Sequence, residues 1–264
     1  MGVLNITPDS FSDDGLAADP ARATDLALGM EADGADIIDI GAESTRPRAA
    51  AVDAEEEWAR LRPVLKGLPY RLRVPVSIDT YKADVARRAL DDGVAIVNDI
   101  SGLGYDAGLG AIVAARGAAL VLMHTRGRSG DMYAQARYAD VAAEIARELQ
   151  RSVERAIGHG VPWDQIVLDP GLGFAKQAAH SFDALASLDR LAVLGRPLLA
   201  GPSRKSFLTA AAGRRPAAER DWATAAAVTA AVMAGAHIVR VHRAAEMVQV
   251  VRVADAVRNA AVKP

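Results

Sequence analysis

Nine polar or charged residues stand at or just past the ends of apolar runs in this sequence: Asn5, Glu43, Asp79, Asn98, His124, Asp169, Lys205, Arg240 and His242. The runs cover residues 2–6, 35–41, 73–79, 94–98, 118–123, 165–169, 196–201 and 237–241. Asp79, Asn98 and Asp169 suit a flat, nitrogen-rich ring. A carboxylate accepts two parallel hydrogen bonds from an amino-pyrimidine edge, and an amide both donates and accepts. Lys205, Arg240, His242 and Arg46 gather positive charge. Arg240 and His242 are two apart on a strand and so point the same way. Such a cluster suits a phosphate or diphosphate. Each residue alone also has a plain structural reading. Asp169-Pro170-Gly171 is a good turn whatever it binds, Ser203 could cap the following helix, and Asp79 and Asn98 could tie down loops.

Positioning these residues at one place requires a particular frame. Apolar strand-like runs alternate with helical segments, the signature of a parallel sheet with helical crossovers. Eight such units predict an α/β fold, a (β/α)8 TIM barrel, which gathers all eight strand ends at one rim. A doubly wound open sheet is the alternative. Gly34, Gly93, Gly117 and Gly235 sit where helices must stop before strands. Val141, Ile145, Leu149, Val153 and Ile157 recur every fourth residue and predict a helix with one buried stripe; Glu144, Arg147, Glu148, Arg151 and Glu154 are assigned to its solvated face. Ala223–Ala234 reads as a buried barrel helix. Residues 7–19 and 42–53 form long connections, which on a barrel rim act as lids.

Composition limits the function classes. The chain has 264 residues, close to the roughly 250 of one barrel, and no linker divides it, so residues 1–264 are expected to form a single domain. A net charge of −2 and the lack of a basic stripe argue against a nucleic acid partner. No signal peptide or membrane span is evident. The absence of cysteine excludes thiol catalysis and fits a cytoplasmic protein. None of the histidines forms an HExxH set or another closely spaced metal site. The Gly-x-Ser-x-Gly elbow and the Gly-x-x-x-x-Gly-Lys phosphate loop are absent too. A displacement assisted by charge stabilisation of a leaving diphosphate fits better than covalent catalysis.

Seven segments carry a more specific signal: Asn5-Ile6-Thr7-Pro8-Asp9-Ser10-Phe11-Ser12-Asp13-Asp14-Gly15, Glu43-Ser44-Thr45-Arg46-Pro47, Ser77-Ile78-Asp79-Thr80, Asn98-Asp99-Ile100-Ser101, Asp169-Pro170-Gly171-Leu172-Gly173-Phe174, Ser203-Arg204-Lys205-Ser206 and Arg240-Val241-His242. In this order they resemble the dihydropteroate synthase family, the folate-pathway enzymes that sulfonamides inhibit, from Gly2 to about Val257. The resemblance implies a homodimeric barrel. It also implies condensation of (7,8-dihydropterin-6-yl)methyl diphosphate with 4-aminobenzoate, with Mg2+. By motif position, Asp79, Asn98, Asp169 and Lys205 would hold the pterin, and Asn5 would sit at Mg2+. Arg240 and His242 would grip the diphosphate. Thr45 and Arg46, with Phe11, would close over the site. Pro47 and Ser206 would border the aminobenzoate, and Met123 and His124 would line the mouth. Asp169, Lys205 and Arg46 are the expected catalytic groups, acting by electrostatics rather than base catalysis.

The chain departs from the family pattern at Ala42 and Arg48, where glycine is usual, and at Arg243, where aspartate is common. Arg243 is expected to alter diphosphate affinity, whereas Ser181 in place of asparagine is expected to matter little. Met1 matches an internal methionine of the family, so the natural start is expected upstream. Two other function classes compete. One is a pterin-binding paralogue without catalysis, which degenerate loops would mark. The other is a barrel that moves a methyl group from a methylfolate to a corrinoid and needs no diphosphate grip.

Overall fold

The computed structural model describes residues 1–7, 19–44 and 51–261. Along them run β1 (Gly2–Asn5), α1 (Pro20–Ala32), β2 (Ile38–Gly41), α2 (Ala54–Leu65), α3 (Leu68–Arg71), β3 (Val76–Asp79), α4 (Ala83–Asp91), β4 (Ile96–Asp99) and α5 (Leu109–Arg116). Then follow β5 (Ala119–Met123), α6 (Val141–Gly158), β6 (Ile166–Asp169), α7 (Ala178–Ala186), β7 (Leu199–Ala200), α8 (Thr209–Ala212), α9 (Asp221–Met233), β8 (Ile238–Val239) and α10 (Ala244–Ala261). Strands β1 to β6 pair in sequence order, and β7 pairs with β8. Bridges from Leu168 to Leu198 and from Gly2 to Val241 join the two groups. Val3 N donates to Val241 O at 2.9 Å, and Leu168 N to Pro197 O at 2.9 Å. The ring is therefore closed, and the open-sheet alternative is ruled out.

Alternate residues of a barrel strand face the helices and the lumen. Leu4, Ile38, Ile40, Val76, Ile78, Leu120, Leu122 and Leu168 join the core beneath the helices. Met1, Ile37, Ile96, Val121, Val167, Leu199 and Ile238 form a separate apolar cluster of the opposite parity, inside the barrel. Two residues further along the same faces come Asp39, Asn98, Met123, Asp169, Gly201 and Arg240. The lumen thus has an apolar floor and a mostly polar layer above it.

The helix stops are built as expected. Ala35 N donates to Met30 O, Val94 N to Ala89 O, Ala118 N to Val113 O and Ala236 N to Ala231 O, at 2.9–3.2 Å. The preceding glycine, such as Gly34 at φ 98°, takes the left-handed turn that a Cβ would strain. These turns use up the first residues of several apolar runs, so the strands start later than the runs do. In the run before β3, Pro75 also lacks an N–H for the ladder.

Two helix readings need correction. In α6 the stripe from Val141 to Val153 is buried, but Ile157 is 46% exposed. Steps of four residues advance about 40° beyond a full turn, so Ile157 lies about 160° around from Val141. By the same geometry Glu144 and Glu148 fall within about 60° of Val141, toward the barrel rather than on the solvated face. Helix α9 buries Thr224, Ala227, Val228, Ala231 and Val232 but exposes Trp222 and Met233. It is half-buried, because an alanine-rich helix gives no apolar stripe to reveal which face turns inward. No helix among the described residues is long and apolar enough to cross a membrane.

Leu149→Ala is expected to cost about 2–5 kcal/mol in urea unfolding. Ile157→Ala should cost under about 0.5 kcal/mol, and equal losses would restore the uniform stripe.

Candidate functional site

The polar layer centres on one arginine. Arg240 Nε donates to Asp39 Oδ2 at 2.6 Å, and Nη2 donates to Asp79 Oδ2 at 2.7 Å. Asn98 Nδ2 donates to the same Asp39 oxygen at 3.1 Å. Asp39, Asn98 and Arg240 come from β2, β4 and the end of β8, which are not neighbours, so these bonds cross the lumen. Asp39 is fully buried. It also fixes the amide: a carboxylate accepts only, so Asn98 must offer its N–H inward and keep its carbonyl as an acceptor. Asp39 Oδ1 and Ser77 Oγ are buried without a hydrogen-bond partner among the described residues. Burial raises the Asp79 carboxyl above its usual range, opposed first by Arg240. Burial works against the charge on Arg240, but Asp39 and Asp79 outweigh it and keep the guanidinium protonated.

Asp169 forms the next wall. Its Oδ1 accepts Gly171 N at 2.7 Å, which curls the chain back after β6. Gly171 has φ +69°, and a Cβ there would lie 1.9 Å from His124 O. Met123 packs under the same turn. Lys205 Nζ donates to Leu172 O at 2.6 Å and stands 4.7 Å from the centre of the Phe174 ring. Burial raises Asp169 and lowers Lys205 to about 8, and each charge partly reverses the shift of the other. Lys205 thus reaches from the loop after β7 to the turn that follows Asp169.

Behind this wall lies a chain of groups of which the sequence pointed only to His124. Lys176, only 1% exposed, has its Nζ 2.8 Å from His124 Nδ1 and 3.1 Å from Phe174 O. His124 Nε2 lies 2.9 Å from Glu148 Oε2, and Arg126 pairs with Glu148 and Glu144. An ammonium donates only, so Nδ1 accepts and the imidazole proton sits on Nε2, toward Glu148. Burial lowers His124 to about 4, assisted by Lys176. Burial alone would raise Glu148, but His124 and Arg126 outweigh it and hold it at about 2. His124 is thus a buried, neutral link between Lys176 and Glu148.

On the opposite side, Ser203 Oγ accepts His242 N at 3.2 Å and lies 2.9 Å from His242 Nδ1. Ser203 thus orients His242 rather than capping a helix. Arg204 adopts φ 59° and pairs in bidentate fashion with Asp221 at 2.8 and 2.9 Å, which leaves Lys205 to enter the mouth. Ser206 is exposed at the start of the next turn. Arg243 pairs with Glu246 on α10, so its added charge is compensated locally. Glu43 binds Tyr81 and Lys82, and Lys82 also binds Glu57, an ionic cluster beside the mouth. Ala42 is buried and its carbonyl accepts Arg60 Nη1 at 2.9 Å, so the methyl group is accommodated. Phe11, Thr45, Arg46, Pro47 and Arg48 lie outside the described residues.

Asn5 ends β1 beside Gly41, half-buried. No group of three or more His, Cys, Asp or Glu among the described residues is arranged to hold a metal. A single amide oxygen at Asn5 would suit a Mg2+ that keeps most of its waters.

The missed residues left faint traces. Asp39 interrupts Ile37-Ile38-Asp39-Ile40, and a lone carboxylate in a buried run needs a partner. Lys176 has no comparable signal.

A family model described as pterin binding enzyme matches residues 1–242. The chain is 44% identical over 256 residues to a dihydropteroate synthase of Synechocystis, covering 97% of this chain and 89% of that one. A dihydropteroate synthase of Yersinia pestis, solved with a sulfonamide drug complex, superposes with a TM-score of 0.93 at 39% identity, covering 98% of this chain and 94% of that one. The enzyme of Xanthomonas albilineans in complex with 7,8-dihydropteroate has a TM-score of 0.87 at 36% identity, covering 100% and 94%.

Gly171→Ala is expected to destabilise the fold by at least about 2 kcal/mol through strain at positive φ and the clash with His124 O. Unfolding at the wild-type urea midpoint would remove that constraint.

Proposed function

This chain belongs to the pterin-binding enzyme family, and we propose that it is a dihydropteroate synthase, joining (7,8-dihydropterin-6-yl)methyl diphosphate to 4-aminobenzoate in folate biosynthesis. The observation that carries this reading is the polar layer of the lumen, where Asp79, Asn98, Asp169 and Lys205 come from four strand ends to one mouth. An Asn98 carbonyl held as an acceptor and an Asp169 carboxylate suit the donor-rich edge of an aminopyrimidine ring. Lys205, an ammonium at neutral pH, donates to the ring's acceptors.

The reaction breaks the methylene C–O bond, and the electron pair leaves with diphosphate. His242 would stabilise that charge, with Arg46 and with Arg240 beyond its pairs with Asp39 and Asp79, while Asp169 would stabilise the positive pterin left behind. The 4-aminobenzoate nitrogen then forms the new C–N bond and loses one proton to solvent. Thr45, Arg46 and Phe11 would close the mouth, because water would otherwise capture the cation. Pro47 and Ser206 would border the aminobenzoate, and Met123 would pack beneath the pterin. Asn5 would hold Mg2+ brought by the diphosphate, and the bound ion would neutralise charge on the leaving group.

Residues 1–264 are read as one domain acting in the cytoplasm. Trp222 and Met233 on α9, with Val253 and Val257 on α10, expose apolar surface suited to a second copy of the chain. Degenerate loops after β1 and β2 would mark the non-catalytic alternative, and in sequence both keep their motif residues apart from Ala42 and Arg48.

Dihydropteroate formation, assayed with and without Mg2+, tests the reading. Mg2+-dependent turnover is expected. Pterin binding without turnover would favour the non-catalytic paralogue. Lys205→Ala should lower turnover on the order of 100-fold with an unchanged circular dichroism spectrum; near-normal turnover would end its role. His242→Ala should weaken binding of the pterin diphosphate far more than that of the pterin alcohol, and equal weakening would contradict the diphosphate assignment.

A further inference from the structure

Lys176 has no part in the reaction as derived above, yet it is one of the largest fully buried side chains in the protein. Lysine is almost never fully buried unless it is paired. Its hydrogen-bond acceptors here are neutral, the His124 ring at 2.8 Å and the Phe174 carbonyl at 3.1 Å. The charge of the ammonium is therefore not cancelled by direct contact. The group that most favours that charge is Asp169. The geometry ties the two together. His124 N donates to Asp169 O at 2.9 Å, and the turn at Gly171 folds residues 170–176 back toward His124. Glu148 then fixes the far side of the ring at 2.9 Å.

We propose that Lys176 is a positioning residue for the pterin-reading carboxylate: pinned by His124 and the Phe174 carbonyl, its ammonium holds Asp169 in the ionised, hydrogen-bond-accepting form. This rests on Asp169 being the pterin reader. A carboxylate accepts both hydrogen bonds of the aminopyrimidine edge only while ionised, and burial pushes Asp169 toward its protonated form. Lys205 opposes this from the loop after β7, and Arg240 from β8. Lys176 adds its charge from the loop after β6. The charges acting on Lys176 in turn are Asp169, Lys205, Arg126 beyond β5 and Glu148 on α6, with the Tyr138 ring centre 5.9 Å away. Burial lowers Lys176 to about 7. Its support for Asp169 is thus present on the acid side of neutrality, where protonation threatens, and fades above it.

The test is calorimetric binding of 6-hydroxymethyl-7,8-dihydropterin from pH 5.5 to 8.5 by the full-length wild type, Lys176→Met, Lys176→Arg and Asp169→Asn. In Lys176→Met the acid limb of binding should move up by about one pH unit, with binding about fivefold weaker at the wild-type midpoint and approaching about tenfold weaker below it, and little change at the alkaline end. Lys176→Arg should restore the wild-type limb. An unmoved limb, or equal weakening at every pH, overturns the proposal. If Asp169→Asn binds like the wild type, the pterin assignment has failed instead. If Lys176→Met does not fold, Lys176→Gln keeps a donor to His124 without the charge, and the same shift is expected. In the unmutated enzyme, 13C NMR should show the Asp169 carboxyl titrating in two steps coupled to Lys176. A single, uncoupled step overturns the proposal whatever the variants do.

Discussion

A guanidinium inside a β-barrel sets the terms for the rest of the structure. Desolvating one ion costs several kcal/mol, and only close countercharges with good hydrogen-bond geometry recover it. Arg240 meets that demand with Asp39 and Asp79, on strands β2 and β3. Those carboxylates are themselves tolerable only because Arg240 is there. Removing Arg240 would leave two buried carboxylates without their countercharge, and removing either carboxylate would leave a guanidinium N–H without its acceptor, so each member depends on the others. Asn98 then takes its orientation from the shared Asp39 oxygen. The order of the lumen layer follows from one ion cluster rather than from four separate choices.

The fold was legible because it depends on periodicity and on helix stops, both local. Ile37, Ile38 and Ile40 mark a strand wherever they occur, and Gly34 or Gly235 ends a helix by its own backbone freedom. The site was legible as far as its residues stand at strand ends, as Asp79, Asn98, Asp169 and Lys205 do. What the sequence did not reveal depends on distance through space. Glu148 looked solvated because its neighbours in sequence are charged, yet the helix turn carries it to His124. Arg240 was grouped with the cations of the diphosphate grip, and nothing local shows that two carboxylates bracket it. Lys176 is hidden for the same reason, since its partners lie on other segments of the chain.

Burial has opposite consequences on the two sides of Asp169. It raises the carboxyl and lowers both lysines. Every group in the pocket is thereby moved toward its neutral form, and only mutual attraction keeps the charges in place. Such a site responds strongly to added charge, because the low dielectric that makes ionisation costly also amplifies each new interaction. A neutral pterin entering the pocket displaces water and strengthens the pairing further. When diphosphate leaves, the pterin becomes positive next to an existing carboxylate.

That timing explains why a carboxylate serves here without acting as a base. A general base would need a proton to remove at the rate-limiting step, but in a dissociative displacement the difficulty is separating a cation from an anion. Asp169 and His242, the proposed diphosphate grip, stand on different elements, β6 and the segment just past β8. The barrel holds the two charges apart on a frame that need not rearrange as they develop, which is where fixed dipoles and ions are most effective. The arylamine then needs only access and position. The residues around Asp169 must therefore keep it ionised before the leaving group departs, and a second lysine beneath it is consistent with that need.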